Sequence, residues 1–305
     1  MLLHTKQPLI IDGGLSNVLE SKGFDLNHKL WTARLLTQNP EAIVAAHLAY
    51  LKAGAQCITT ASYQASILGL LALGYTLKAA KGLIVQSVQL AQEAADQAWE
   101  AGIVKERPLI AASIGPYGAY LADGSEYRGN YGVSDQVLYS FHEERIQWLD
   151  QSGADVLACE TIPSLQEAKV LADLLTKTNT PAWVSFSCKD GQYLNDGSCI
   201  EEAVAIFKDH PKVLAVGTNC THPTYIITII ERVKSVGMDK KIIVYPNSGE
   251  AYHAASKSWL GLSEPYAFGA MAKAWVDSGA QIIGGCCRIG PEHIREIVEI
   301  MKEVE

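Results

Sequence analysis

Three stretches repeat one phrase: Lys52–Thr60 reads KAGAQCITT, Gln151–Cys159 reads QSGADVLAC, and Asp277–Gly285 reads DSGAQIIGG. In each, a glycine closes a helical segment and an apolar, partly β-branched run follows at once. Glycine there takes the left-handed cap that other residues reach only with strain, so the phrase reads as a helix-to-strand joint. Used three times along the chain, it marks a repeated strand–helix unit. Working outward, eight short apolar runs bounded by glycine, proline or polar residues read as strands: Leu9–Asp12, Cys57–Thr60, Leu109–Ile114, Val156–Glu160, Ala182–Ser187, Val213–Asn219, Ile242–Pro246 and Ile282–Gly285. The segments between them carry helical periodicity. In the last, Ile294, Ile297, Val298 and Met301 fall on one apolar stripe. Ser164 with Glu167 and Ser198 with Glu201 have the S-x-x-E spacing expected of capping boxes.

Eight β–α pairs without a break in composition predict an α/β fold, a single (β/α)8 TIM barrel forming one domain over residues 1–305. The length beyond a minimal barrel falls in long βα loops after strands 1, 3 and 7, at Gly13–Asn39, Gly115–Val133 and Asn247–Leu262. An open doubly wound sheet would also alternate strand and helix, but no G-x-G-x-x-G follows the first strand. Hydrophobic residues at 48% against 19% charged exclude a disordered chain. A net charge of −8 makes nucleic acid and anionic membranes poor partners. The opening MLLHTKQP is too short and polar for a secretory signal core, so a cytoplasmic protein is expected. Seven cysteines at irregular spacing do not read as a disulfide framework. Nothing in the sequence fixes an oligomeric state.

Barrel chemistry collects at the C-terminal ends of the strands, and there this chain carries Asp12-Gly13-Gly14, Glu160-Thr161, Gly217-Thr218-Asn219-Cys220, Asn247-Ser248-Gly249-Glu250 and Gly284-Gly285-Cys286-Cys287. Cys220 and Cys286 lie 66 residues apart, yet strands 6 and 8 of an eight-strand ring can aim both at one cavity. Cys286 and Cys287 can both turn inward if the strand has ended, which Gly284-Gly285 permits. Three converging thiolates suit one zinc ion per chain, with the fourth tetrahedral position left for a substrate. The plainer reading makes them buried apolar thiols, or pairs Cys286 with Cys287 in a disulfide. Cys57, Cys159, Cys188 and Cys199 do not converge and read as core or surface thiols.

GTNC at 217–220 with GGCC at 284–287 and DGG at 12–14 resembles the zinc-dependent homocysteine S-methyltransferase family, along the full length of the chain. SIGPYGAYLADGSEYRGNY at 113–131 and YPNSGE at 245–250 resemble most the branch that uses S-methylmethionine or S-adenosylmethionine. The resemblance implies a barrel, a zinc held by Cys220, Cys286 and Cys287, and homocysteine as methyl acceptor. It also implies that Glu160 contacts the α-amino group of homocysteine, where the residues alone allow either an ammonium ligand or a helix-start charge. Asp12 reads as a second substrate carboxylate or as a turn residue. Asn219 reads as a group orienting the site or as a residue suited to a tight turn. Trp31 and Tyr63 occupy places comparable with the aromatic donor box of the betaine branch. An aromatic face tolerates a sulfonium cation, and core packing is the alternative. The betaine branch has a tyrosine after the strand-4 glutamate, whereas Thr161 stands here, so a sulfonium donor, S-methylmethionine before S-adenosylmethionine, is the expectation. The alternatives are another donor such as betaine, or a barrel enzyme for a phosphorylated small molecule, with Arg288 and Gly290 at the start of the last helix.

Overall fold

The computed structural model describes residues 7–26, 31–249, 251–253, 258–260 and 264–302. Each of the eight apolar runs forms a strand: β1 (Leu9–Ile10), β2 (Cys57–Thr59), β3 (Leu109–Ile114), β4 (Val156–Ile162), β5 (Ala182–Phe186), β6 (Val213–Asn219), β7 (Lys241–Tyr245) and β8 (Ile282–Ile283). They pair in parallel in the order β1, β8, β7, β6, β5, β4, β3, β2. A further parallel bridge from Ile11 to Cys57 joins the two ends, so the sheet closes into a (β/α)8 barrel. Each strand is followed by a helix of the outer ring, from Pro40–Ala53 between β1 and β2 to Pro291–Lys302 after β8. Among the described residues no helix is long and apolar enough to cross a membrane.

The repeated joint behaves as its glycines require. Gly54, Gly153 and Gly279 have φ of +102°, +84° and +121°, a region open to glycine because it lacks Cβ. The S-x-x-E readings need correction. Ser164 Oγ accepts from the Glu167 N–H at 3.2 Å, but the Glu167 carboxylate does not return to Ser164. It accepts instead from Tyr117 N at 2.6 Å, His142 Nε2 at 2.8 Å and the Tyr131 hydroxyl at 3.0 Å, because burial makes it the anchor of a polar cluster. At the second site the helix starts at Ile200, Ser198 Oγ donates to Asp196 Oδ2 at 3.0 Å, and Glu201 pairs with Arg232 at 2.5 Å. No capping box forms there.

Strand pleat sorts the core into two shells. Ile110, Ala112 and Ile114 of β3 and Leu157 and Cys159 of β4 point outward into the layer packed by helices. Ala111, Val156, Ala158, Trp183, Ala215, Ile243 and Ile282 fill the barrel interior. Continuing the same parity toward the C-terminal ends brings Thr59, Ser113, Glu160, Ser185, Asn219 and Tyr245 to the inside. The interior is therefore apolar below and polar above. Described residues of two long loops line that polar end, one holding the helix Leu15–Ser21 and the other Tyr117–Leu121 and the turn Ser125–Tyr127, while the third long loop holds the antiparallel pair Ala251–His253 with Ser258–Leu260.

Candidate functional site

A cavity of about 620 Å³ opens at the polar end of the barrel, and Cys220, Cys286, Cys287, Glu160 and Tyr63 all line it. The three sulfurs lie within 4.8 Å of one another, close enough for one ion to touch all three. Strand β8 ends at Ile283, and the glycines after it let the chain turn so that adjacent cysteines face one centre. Those glycines are required by close approach: a Cβ on Gly284 would lie 2.7 Å from Asp12 O, and a Cβ on Gly14 would lie 2.7 Å from Cys286 O. Cys220 and Cys286 are joined by a disulfide, with Cα atoms 5.5 Å apart, whereas Cys287 is a free thiol whose sulfur is 3.7 Å from that of Cys220. The pairing joins two different strands, not the adjacent residues. The ends of β6 and β8 converge to a separation a disulfide can span. Burial pushes the Cys287 thiol up to about 11, opposed by a hydrogen bond with Tyr127. Cys57, Cys159 and Cys188 are buried and Cys199 is half-buried, all outside the sulfur cluster.

Glu160 lies inside β4, two residues short of its end, with 9% of its surface exposed. Ser113 Oγ donates to its Oε1, and Tyr245 is a second partner. Burial nevertheless pushes its carboxyl up to about 7, because these neutral hydroxyls only partly replace water. Asn219 is fully buried beneath the cavity and links three strands. Its Oδ1 accepts from Thr161 N at 2.6 Å and from Ser185 Oγ at 2.8 Å. Its Nδ2 donates to Thr161 Oγ1 at 2.8 Å and approaches Cys286 Sγ at 3.8 Å. The bonds to Thr161 hold a residue with φ of +61°, at an irregularity where the β4–β5 register shifts between Cys159 and Ile162. Cys220 is likewise left-handed, at +46°. A β-branched residue and a cysteine held in this region at the mouth of a cavity mark backbone strain located at the site.

Asp12 does not line the cavity. Its carboxylate accepts from Thr59 N at 2.8 Å and Thr59 Oγ1 at 2.9 Å, bracing the β1–β2 seam. Burial, with a smaller contribution from the charge of Glu160, pushes it up to about 8. Tyr63 lines the cavity, with its hydroxyl hydrogen-bonded to Thr161. The Trp31 side chain lies outside the described residues. Near the last helix, Gly290 N donates to His293 Nδ1 at 3.2 Å, so that N–H is already engaged. Sequence reading passed over Ser113, Ser185, Tyr245 and Tyr127. Strand parity marks the first three as inward, whereas nothing local marks Tyr127, which is brought in by the 115–133 loop.

A parallel barrel that gathers three cysteine sulfurs and a buried carboxylate at the C-terminal mouth of its strands is a thiol-handling enzyme scaffold. The sequence profile described as homocysteine S-methyltransferase matches residues 9–301, and the chain belongs to that family. It is 47% identical over 300 residues to the homocysteine S-methyltransferase YbgG of Bacillus subtilis, covering 97% of this chain and 95% of that one. Two crystal structures of the Escherichia coli homocysteine methyltransferase MmuM superpose over 96% of both chains. The metallated form has a TM-score of 0.86 at 38% identity and the oxidized form 0.88 at 39%.

Proposed function

We propose that this barrel, a single domain over residues 1–305, transfers a methyl group from a sulfonium donor to homocysteine, with one zinc ion held by Cys220, Cys286 and Cys287. The observation that carries the reading is the sulfur cluster beside Glu160 in one cavity. A tetrahedral zinc with Zn–S bonds of about 2.3 Å places sulfurs roughly 3.8 Å apart, and Cys220 and Cys287 stand at 3.7 Å. An all-sulfur donor set suits that ion. Cys286 joins it only as a thiolate, so the disulfide with Cys220 must be reduced first, and a reducing compartment, the cytoplasm, fits that need. Bound there, zinc would hold the homocysteine sulfur deprotonated at neutral pH, where a free thiol is mostly protonated.

The residues of the chain supply the positioning. Glu160 takes the α-ammonium of homocysteine and becomes charged against it. Asp12, whose carboxylate braces Thr59 rather than facing the cavity, acts on Glu160 only through its charge. Asn219 sets the direction of Cys286. The homocysteine thiolate attacks the methyl carbon in line with the breaking bond, whose electron pair stays on the donor sulfur. S-methylmethionine and homocysteine thus give two methionines, and the thiol proton passes to solvent. The sulfonium charge is neutralised in this step, which favours an aromatic, water-poor wall, and Tyr63, Tyr127 and Phe24 line the cavity.

The test is a steady-state comparison of S-methylmethionine, S-adenosylmethionine, betaine and methyltetrahydrofolate at saturating homocysteine. S-methylmethionine should give the highest kcat/KM and S-adenosylmethionine a lower one. A higher value with betaine or the folate rejects the donor assignment and leaves the metal site standing.

A further inference from the structure

The wall of the cavity contains two acceptor atoms that nothing in the protein satisfies. Glu126 Oε2 and Gln64 Oε1 are both shielded from solvent without a hydrogen-bond partner, and both residues line the cavity that holds the cysteines. Native proteins rarely leave such atoms unpaired, since each has given up its water for nothing. The orientation of the Gln64 amide is fixed: its Nε2 donates to Ala119 O at 3.1 Å, so the oxygen is the end left open. The Glu126 backbone is held in place as well. Its carbonyl accepts from Ser187 Oγ at 3.1 Å, and the turn carrying it packs on Gly118, where a Cβ would lie 2.6 Å from Ser125 C. Gln64 bonds Ala119 and the turn carrying Glu126 packs on the neighbouring Gly118, so both residues meet the short helix Tyr117–Leu121. Arg128, two residues on, acts on Glu126 through its charge but not by a hydrogen bond. Its guanidinium is committed to Asp123 at 3.0 Å and to Ser125 at 2.7 Å.

A carboxylate oxygen and an amide oxygen together call for a compact cation with several N–H donors, and a primary ammonium has three. Both substrates of the proposed reaction are amino acids, and the homocysteine ammonium is already assigned to Glu160. The patch reaches the sulfurs from the loop, whereas Glu160 reaches them from a strand: Tyr127, next to Glu126, hydrogen-bonds Cys287. We propose that Glu126 and Gln64 bind the α-ammonium group of the methyl donor, so that the site selects amino-acid sulfoniums over sulfoniums without an amine. This inference rests on the sulfonium-donor reading above.

The probe is a pair of donors: S-methylmethionine and (3-carboxypropyl)dimethylsulfonium, the same molecule with hydrogen in place of the amine. Wild-type enzyme should prefer S-methylmethionine. In Glu126→Gln, kcat/KM for S-methylmethionine should fall roughly ten- to a hundredfold, the range for a lost bond to a charged group. The value for the amine-free donor and the KM for homocysteine should stay put. Gln64→Met should shift selectivity in the same direction by less. Zinc content and the urea midpoint of each variant establish that it is folded and loaded, and Gln64→Met carries the test if Glu126→Gln is not. Equal losses with both donors, no loss with either, or a raised homocysteine KM each overturn the assignment. Wild-type enzyme that uses neither sulfonium overturns the functional reading itself, an outcome distinct from the other three.

Discussion

Glu160 shows how one position on a strand acquires its chemistry. Two residues beyond Ala158, it shares the inward parity of the barrel interior but sits one layer higher, where Ser113 and Tyr245 replace the apolar neighbours. Burial pushes its carboxyl up to about 7, so an ammonium partner, as proposed for homocysteine, would favour its charged form. Glu160→Gln should keep zinc and raise the homocysteine KM, losing about 1.5 to 3 kcal/mol of charge-assisted binding. Titration of homocysteine into the zinc-loaded variant checks this, and loss of zinc would reassign the residue. Asn219 acts at one remove. Asn219→Ala removes both bonds that hold Thr161 at positive φ and the contact to Cys286. Zinc affinity should drop by about 10- to 100-fold, as for other groups that orient a metal ligand. Competition with a chromogenic chelator measures it. Much of this site was readable from residue types at strand ends, because thiols and carboxylates are conspicuous there. Ser113, Ser185 and Tyr245 were not, because serine and tyrosine in a strand look like ordinary packing until parity is followed upward. Asp12 was readable as important but not as a brace to Thr59, since its partner is a backbone N–H on a strand 47 residues away.

At the scale of the element, the helix-to-strand joint is the device that repeats, and its copies are not equivalent. Gly54 has φ of +102°, and a Cβ there would lie 2.9 Å from Val298 Cγ2 on the helix Pro291–Lys302. Gly153, at +84°, would meet only the end of the Gln92 side chain, at 3.1 Å. Both alanine substitutions incur the left-handed penalty of about 1 to 2 kcal/mol. Gly54→Ala should cost more, because a branched side chain on a packed helix cannot swing aside as an exposed amide can. Urea denaturation of the two variants at one pH gives the order directly, and equal midpoints would show that Val298 yields freely. The joints were legible because a glycine set between a helical segment and an apolar run does one job, turning the chain out of the helix at positive φ. The boxes at Ser164 and Ser198 were misleading because Glu167 and Glu201 have stronger partners across the fold than their own helix termini. Spacing along a chain cannot see a partner that arrives from another element.

For the whole molecule, the question is what the proposed zinc ion would do for the fold. The barrel is closed by parallel pairing around the full ring and by two apolar shells, with Cys286 packed only against the edge of the inner one. Nothing in that framework depends on a bound ion, unlike a zinc finger, whose small core cannot form without one. Removing zinc under reducing conditions should therefore abolish methyl transfer while leaving the far-ultraviolet circular dichroism unchanged and thermal unfolding cooperative. Zinc binding still stabilises by mass action, about 2.7 kcal/mol at one hundred times its Kd, so the midpoint should fall by several degrees on chelation and return on reloading. Oxidation separates the same two roles in another way. With Cys220 and Cys286 joined, only Cys287 is left as a thiol at the cluster, so oxidised protein should take up no zinc and reductant should restore uptake. Zinc stoichiometry with and without reductant, read alongside circular dichroism, tests both statements. Collapse of the secondary structure on chelation would make the ion structural, and the placement of the cysteines at the edge of a complete core argues that this will not be found.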